Sequence, residues 1–147
     1  MPKKLLWLVP AVLLLAGCGQ SPAVSVQSED GGYKVEQNGA TQTAGTKAEL
    51  PAGFPKDVPI YPAAQVIFSQ SVAGTFTVSW GVADEPAKVT AFYQQELPRQ
   101  GWPIASSLPE GDKMMLYAMK GGRSVTVAIE PGLAGSGFKT TIGMNVL

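Results

Sequence analysis

The stretch "TFTVSWGVADEPAKVTAFYQQELPRQGW", residues 75–102, changes period halfway along. From Thr75 to Val82 polar and apolar residues alternate, so Phe76, Val78, Trp80 and Val82 share one face of a strand and Thr75, Thr77 and Ser79 the other. From Val89 the apolar residues recur at helical spacing: Val89, Phe92, Tyr93 and Leu97, with Glu96 near them. Asp84 suits an N-cap, Glu85 and Pro86 a first turn, and Gly101 an exit. Pro98 lacks a backbone N–H and crowds the preceding turn, so the helix is expected to kink or end near Leu97. A strand followed by one short amphipathic helix points to a sheet with a helix laid on one face.

The flanks extend that reading. "AQVIFSQSV" (64–72) alternates and joins the strand at 75–82 across Ala73-Gly74. After the helix, "WPIASS" can start a strand. "KMMLYAMK" (113–120) and "RSVTVAIE" (123–130) flank Gly121-Gly122, a two-residue hairpin signal, and Val125, Val127 and Ile129 share a face. "FKTTIGMNV" (138–146) alternates Phe138, Thr140, Ile142, Met144, Val146. The predicted class is α+β, a two-layer domain of one antiparallel sheet and one packed helix in the order β-β-α-β-β-β-β. Its Ser/Thr-rich face is expected to meet water. "PAGFPKDVPIYP" opens the domain at residue 51. Four prolines exclude helix there, and Phe54, Val58, Ile60 and Tyr61 are expected to help clasp the domain edge. The globular domain is therefore residues 51–147.

Before it lie two segments of different character. Lys3 and Lys4 precede an apolar run, Leu5–Leu15, too short to span a bilayer comfortably and interrupted by Pro10. This is the pattern of an export signal. Residues 18–50 are rich in Gln, Ser, Thr, Gly and Ala. They read as a flexible tether, with "YKVEQ" a stray strand candidate and an r.m.s. reach of roughly 30 Å.

The signal ends Leu15, Ala16, Gly17, Cys18. This resembles the lipobox of bacterial lipoproteins. The resemblance implies a diacylglycerol thioether on Cys18, cleavage after residue 17, and acylation of the new amine with chains such as palmitate. Two or more chains hold stably in a membrane where one does not. Gly19 stands where an aspartate could retain the protein at an inner membrane, so a host with two membranes would place it at the outer one, on the periplasmic side. A second resemblance runs through "FPKDVPIYP", "FYQQEL" leading to "GW", and "KGGRSVTVAI". These are similar to a loose group of small, mostly uncharacterised bacterial envelope lipoproteins, and they imply no activity.

Charge and composition remove several function classes. Loss of Lys3 and Lys4 leaves nine basic against eleven acidic side chains, with no basic cluster for nucleic acid. There is no histidine, and Cys18 is the sole cysteine, so neither an intrachain disulfide nor a His-dependent nucleophile can form. Catalytic residues, a metal site and a cofactor are not expected. "GLAGSGFKT" (132–140) has P-loop glycine spacing, but Phe138 occupies the lysine position, and a strand-to-strand loop is the default reading. Lys120 and Arg123 beside the glycine turn could hold an anion such as a phosphate or glycan carboxylate. Met114, Met115, Met119 and Met144 read as core filling, since neighbours on a strand point to opposite faces. Asp84/Glu85 and Glu110/Asp112 are the nearest carboxylate pairs. Trp80 and Tyr93 fall on predicted buried faces, leaving Trp102 and Tyr117 as less determined aromatics. The expectation is a lipid-anchored module acting by contact with an envelope protein or glycan. The alternative is a cell-wall-directed hydrolase or transferase using carboxylates.

Overall fold

The computed structural model describes residues 24–29, 31–46 and 48–147. The lipobox residues Leu15, Ala16, Gly17 and Cys18 lie outside them. Among the described residues nine strands form one antiparallel sheet: β1 Val24–Glu29, β2 Gly32–Gln37, β3 Ala40–Gly45, β4 Gln65–Val72, β5 Thr75–Val82, β6 Ile104–Glu110, β7 Lys113–Lys120, β8 Arg123–Pro131 and β9 Thr140–Val146. The spatial order is β1-β2-β3-β4-β5-β9-β8-β7-β6, and helix α1 (Pro86–Arg99) connects β5 to β6. From β4 onward the order of elements is the one the alternation predicts.

The inner face carries the core. Val78, Trp80 and Val82 on β5, Val125, Val127 and Ile129 on β8, and Ile142, Met144 and Val146 on β9 are buried against Val89, Tyr93 and Leu97 of α1. Burial of each such side chain contributes about 1.5–3 kcal/mol. The outer-face Thr75, Thr77, Ser79 and Thr126 remain partly exposed. Phe138 departs from the predicted alternation. It precedes β9 and rests on Gly81, where a β-carbon would come within 2.3 Å of its ring.

The helix ends differ from expectation in two ways. Glu85, not Asp84, is the N-cap and makes no side-chain cap bond; the Asp84 carboxylate instead accepts hydrogen bonds from Tyr61 Oη (2.7 Å) and Lys88 Nζ (2.9 Å). The helix runs through Pro98 to Arg99. Only the last turn loses a donor there, and the Pro98 carbonyl accepts the Gly101 N–H at 3.0 Å. The Trp102 N–H reaches back to the Leu97 carbonyl at 2.8 Å, and Gly101 has φ +81°. Both bonds and the buried Leu97 and Trp102 side chains make a Schellman ending.

The proline-rich segment packs as expected at Phe54, Val58 and Tyr61, which join the core; Ile60 stays exposed. The largest correction falls before it. Residues 24–45, expected to be flexible tether, form the β1–β2–β3 meander, and β3 pairs with β4 through Thr41↔Ser71 to Ala44↔Phe68. The turn at Asn38-Gly39 has both φ values positive (50° and 78°), as a type I′ hairpin requires. Gly45 (φ +102°) lies so close to Gly31 that a β-carbon would come 2.0 Å from the Gly31 oxygen. Low hydrophobicity argued for disorder, but adding strands to an open sheet edge satisfies backbone groups without needing a core of its own.

Amides of β2 and β3 should exchange slowly in hydrogen-exchange mass spectrometry, where a flexible tether would show no protection. Gly45→Ala should strip protection from residues 32–45 and leave β5, β8 and β9 unchanged.

Candidate functional site

The meander adds a polar inner face to an otherwise apolar one. Register carries the inner side of the sheet outward from Val78 through Ser69 and Thr43 to Lys34, and from Phe76 through Ser71 and Thr41 to Glu36. Past β5 the apolar residues stop and hydroxyls begin. Segment 48–52 passes over this face and leaves a groove of about 750 Å³, lined among others by Gln27, Lys34, Glu36, Thr41, Thr43 and Ser71.

The groove is organised from its floor. Ser69, almost fully buried, donates to the Glu49 carbonyl at 2.7 Å and shares a 2.7 Å hydrogen bond with Thr43 Oγ1. Those bonds tie the overlying segment to the sheet. On β2, Lys34 Nζ meets Glu36 Oε1 at 2.7 Å, with both side chains about half exposed. The hydrogen bond that Lys34 donates to Glu36, and then the charge of Glu36, raise the Lys34 pKa. The pair is self-neutralising. A lining of hydroxyls, an amide, the Lys34–Glu36 pair and the further acid Glu49 suits a polar ligand held by hydrogen bonds.

The residues singled out in the sequence lie elsewhere. Lys120 and Arg123 do meet an anion, and it is Asp57 of the same chain. Lys120 Nζ lies 2.8 Å from Asp57 Oδ2, and Arg123 grips both carboxylate oxygens at 3.2 and 2.6 Å. Both cations also stand over the Trp102 ring, at 5.7 and 4.9 Å from its centroid. The Asp57 carbonyl accepts the Trp102 indole N–H at 2.7 Å. Nothing in the run "FPKDVPIYP" marks Asp57 as the counter-ion, since its partners are more than 60 residues away.

Asp84 is engaged by Tyr61 and Lys88, while Thr140 Oγ1 donates to the Asp84 carbonyl at 2.6 Å. Glu85 pairs with Lys139 at 2.8 Å, so the lysine of the glycine-rich loop belongs to the helix entrance. Glu85 and Asp112 both line a second depression beside the start of α1; Glu110 closes β6. Met144 fills the core and Met114 packs beside it, but Met115 and Met119 are exposed with Tyr117 on the outer face of β7. Trp80, Tyr93 and Trp102 are buried. The Tyr93 hydroxyl lacks a hydrogen-bond partner among the described residues, and burial raises its pKa. Among the described residues no group of three or more His, Cys, Asp or Glu side chains could hold a metal ion. No helix among them is long and apolar enough to cross a membrane.

The stray strand candidate "YKVEQ" lies in β2 and carries Lys34 and Glu36, but tether composition hides the groove residues of β3 and the pairing of the meander with the sheet. Asn38-Gly39 between alternating segments is the signal that could have found them.

Arg123 first, then Lys120, holds the Asp57 carboxyl well below the usual carboxylate range. A carboxylate depressed in the folded state stabilises fully above its unfolded pKa, about 4, and loses that contribution as pH falls below it. Asp57→Asn should therefore lower stability at neutral pH by about 1–2 kcal/mol, with the discount due to a one-third exposed pair. It should also flatten the loss of Tm below pH 4. Asp84, depressed chiefly by Lys88, should retain a smaller acid limb in that variant.

One comparison with known proteins identifies a family. The model of the START domain-like family matches residues 65–140, from the first residue of β4 to the first of β9. No curated protein and no solved structure matches the chain. The meander that builds most of the groove precedes the matched span, which takes in the helix, strands β4 to β8 and the groove's Ser69 and Ser71. With a little over half of its 147 residues matched, the chain belongs to the START domain-like family.

Proposed function

We propose that this chain is a lipid-anchored extracytoplasmic envelope protein, held to the membrane through Cys18, that acts by binding and not by catalysis. The observation that carries the binding role is the groove of about 750 Å³ between the inner faces of β2–β4 and segment 48–52. Its hydroxyls and its internally matched Lys34–Glu36 pair are suited to recognition by hydrogen bonding. The START domain-like match, which is to a ligand-binding fold, supports the same role. The lipobox residues Leu15 to Cys18 support the address, and an envelope protein or glycan is the partner that address makes available.

A second reading keeps the carboxylate chemistry. Glu85 and Asp112 line one depression, so a hydrolase or transferase acting on cell-wall material has a place to act. In that reading Asp112→Asn would abolish turnover of peptidoglycan by the purified protein.

The test is crosslinking in cells followed by purification of the tagged lipoprotein, with intact-mass analysis of the same material. The mass should correspond to a chain beginning at Cys18 with acyl chains attached. A partner should co-purify, and Ser71→Phe, which fills the groove, should reduce its recovery roughly tenfold, the equivalent of about 1.4 kcal/mol. An unmodified chain beginning at residue 1 would reject the anchor. Undiminished recovery with Ser71→Phe would reject the groove.

A further inference from the structure

The meander changes what the anchor can do. With β1 beginning at Val24, only residues 19–23 separate Cys18 from the sheet, a span of at most about 20 Å even when fully extended. The strand nearest the anchor is also the edge of the sheet. Its two faces are unlike. The register places Val24, Val26, Tyr33, Val35, Ala44 and Phe68 on the outer face. Val24, Val26 and Tyr33 are 51%, 64% and 43% exposed. The remaining outer positions of the meander are Ser28, Gln37, Ala40 and Gln42, so among the described residues no carboxylate, ammonium or guanidinium stands on this face. Lys34 and Glu36 both point to the other face, into the groove.

We infer that the outer face of β1–β3 lies on the lipid surface that holds Cys18, so that the domain is seated on the membrane with its groove turned away. This rests on the lipidation proposed above. Ionised groups are costly near hydrocarbon, and this face has none among the described residues. Valines and a tyrosine suit the interface, where a tyrosine keeps its ring in the apolar side and its hydroxyl wet. The face is too small to bind a bilayer strongly alone. A short leash makes its contact intramolecular, at millimolar effective concentration, so weak apolar contacts suffice. A second copy of the chain would also cover the valines, but the leash brings the lipid to them in every molecule.

The test uses the full-length lipoprotein in vesicles of phosphatidylethanolamine and phosphatidylglycerol. With Cys18 consumed by lipid, Val26→Cys offers one thiol for a nitroxide, and Glu36→Cys offers the same on the opposite face. The ratio of oxygen to nickel-chelate collision rates should be several-fold higher at position 26 than at position 36. Val24→Asp should bring the two ratios together without changing the circular dichroism spectrum. Equal ratios in the two labelled proteins with Val24 intact, on chains whose mass proves acylation, would overturn this seating and leave the groove's binding role standing. Spin–spin broadening at position 26 that vanishes on dilution with unlabelled protein would assign the face to a second copy and overturn it too. A mass without acyl chains would overturn both the seating and the anchor.

Discussion

Trp102 is the residue on which the rest of the domain is hung. Its backbone N–H closes helix α1 on the Leu97 carbonyl, its indole N–H holds the Asp57 carbonyl, and its ring lies beneath Lys120 and Arg123 of the β7–β8 hairpin. Three segments distant in sequence are thereby fixed to one fully buried side chain. Asp57 completes the arrangement by neutralising the two cations that the indole attracts. The helix can then lie across β6, β7 and β8 and cover the core between them. A large aromatic with one polar edge serves this purpose because its area gives burial while its single donor gives direction.

The core and the groove are two uses of one sheet face. On β5, β8 and β9 the inner face is mostly apolar, and it packs in one core with α1 and with Phe54, Val58 and Tyr61 of the proline-rich segment. On β2 and β3 the inner side chains are hydroxyl or ionised, beside Gly32 and Gly45, and on β4 Ser69 and Ser71 continue the hydroxyls. A helix could not cover them without burying unpaired polar groups. A strap of irregular chain covers part of them instead, tied down at Ser69. The space left between strap and strands is the groove. The boundary between structural and functional surface thus follows the change of side-chain type along the strand order.

Legibility in the sequence followed the range of the interactions involved. Strands β4, β5, β7, β8 and β9 were readable because each carries its own alternation, and the helix because Val89, Tyr93 and Leu97 recur at four-residue intervals. The Asp57 clamp was not readable, because a lone aspartate among prolines carries no mark of two cations more than 60 residues away. The meander was obscured by composition. Its strands lack a hydrophobic face of core quality, and only Asn38-Gly39 advertised a hairpin.

The sequence by itself determined the local periods, the turn positions at Ala73-Gly74 and Gly121-Gly122, and the short-range pattern around Cys18 that makes a lipid anchor the expected address. These depend on residues a few positions apart, so the chain declares them without being folded. Only the tertiary structure decided that residues 24–45 extend the sheet, that Lys120 and Arg123 are held by Asp57, and that the charges of β2 gather in a groove on one side while its apolar residues face the other. Each of those depends on strand register or on contact between distant segments, and register is set by pairing partners that no local pattern specifies.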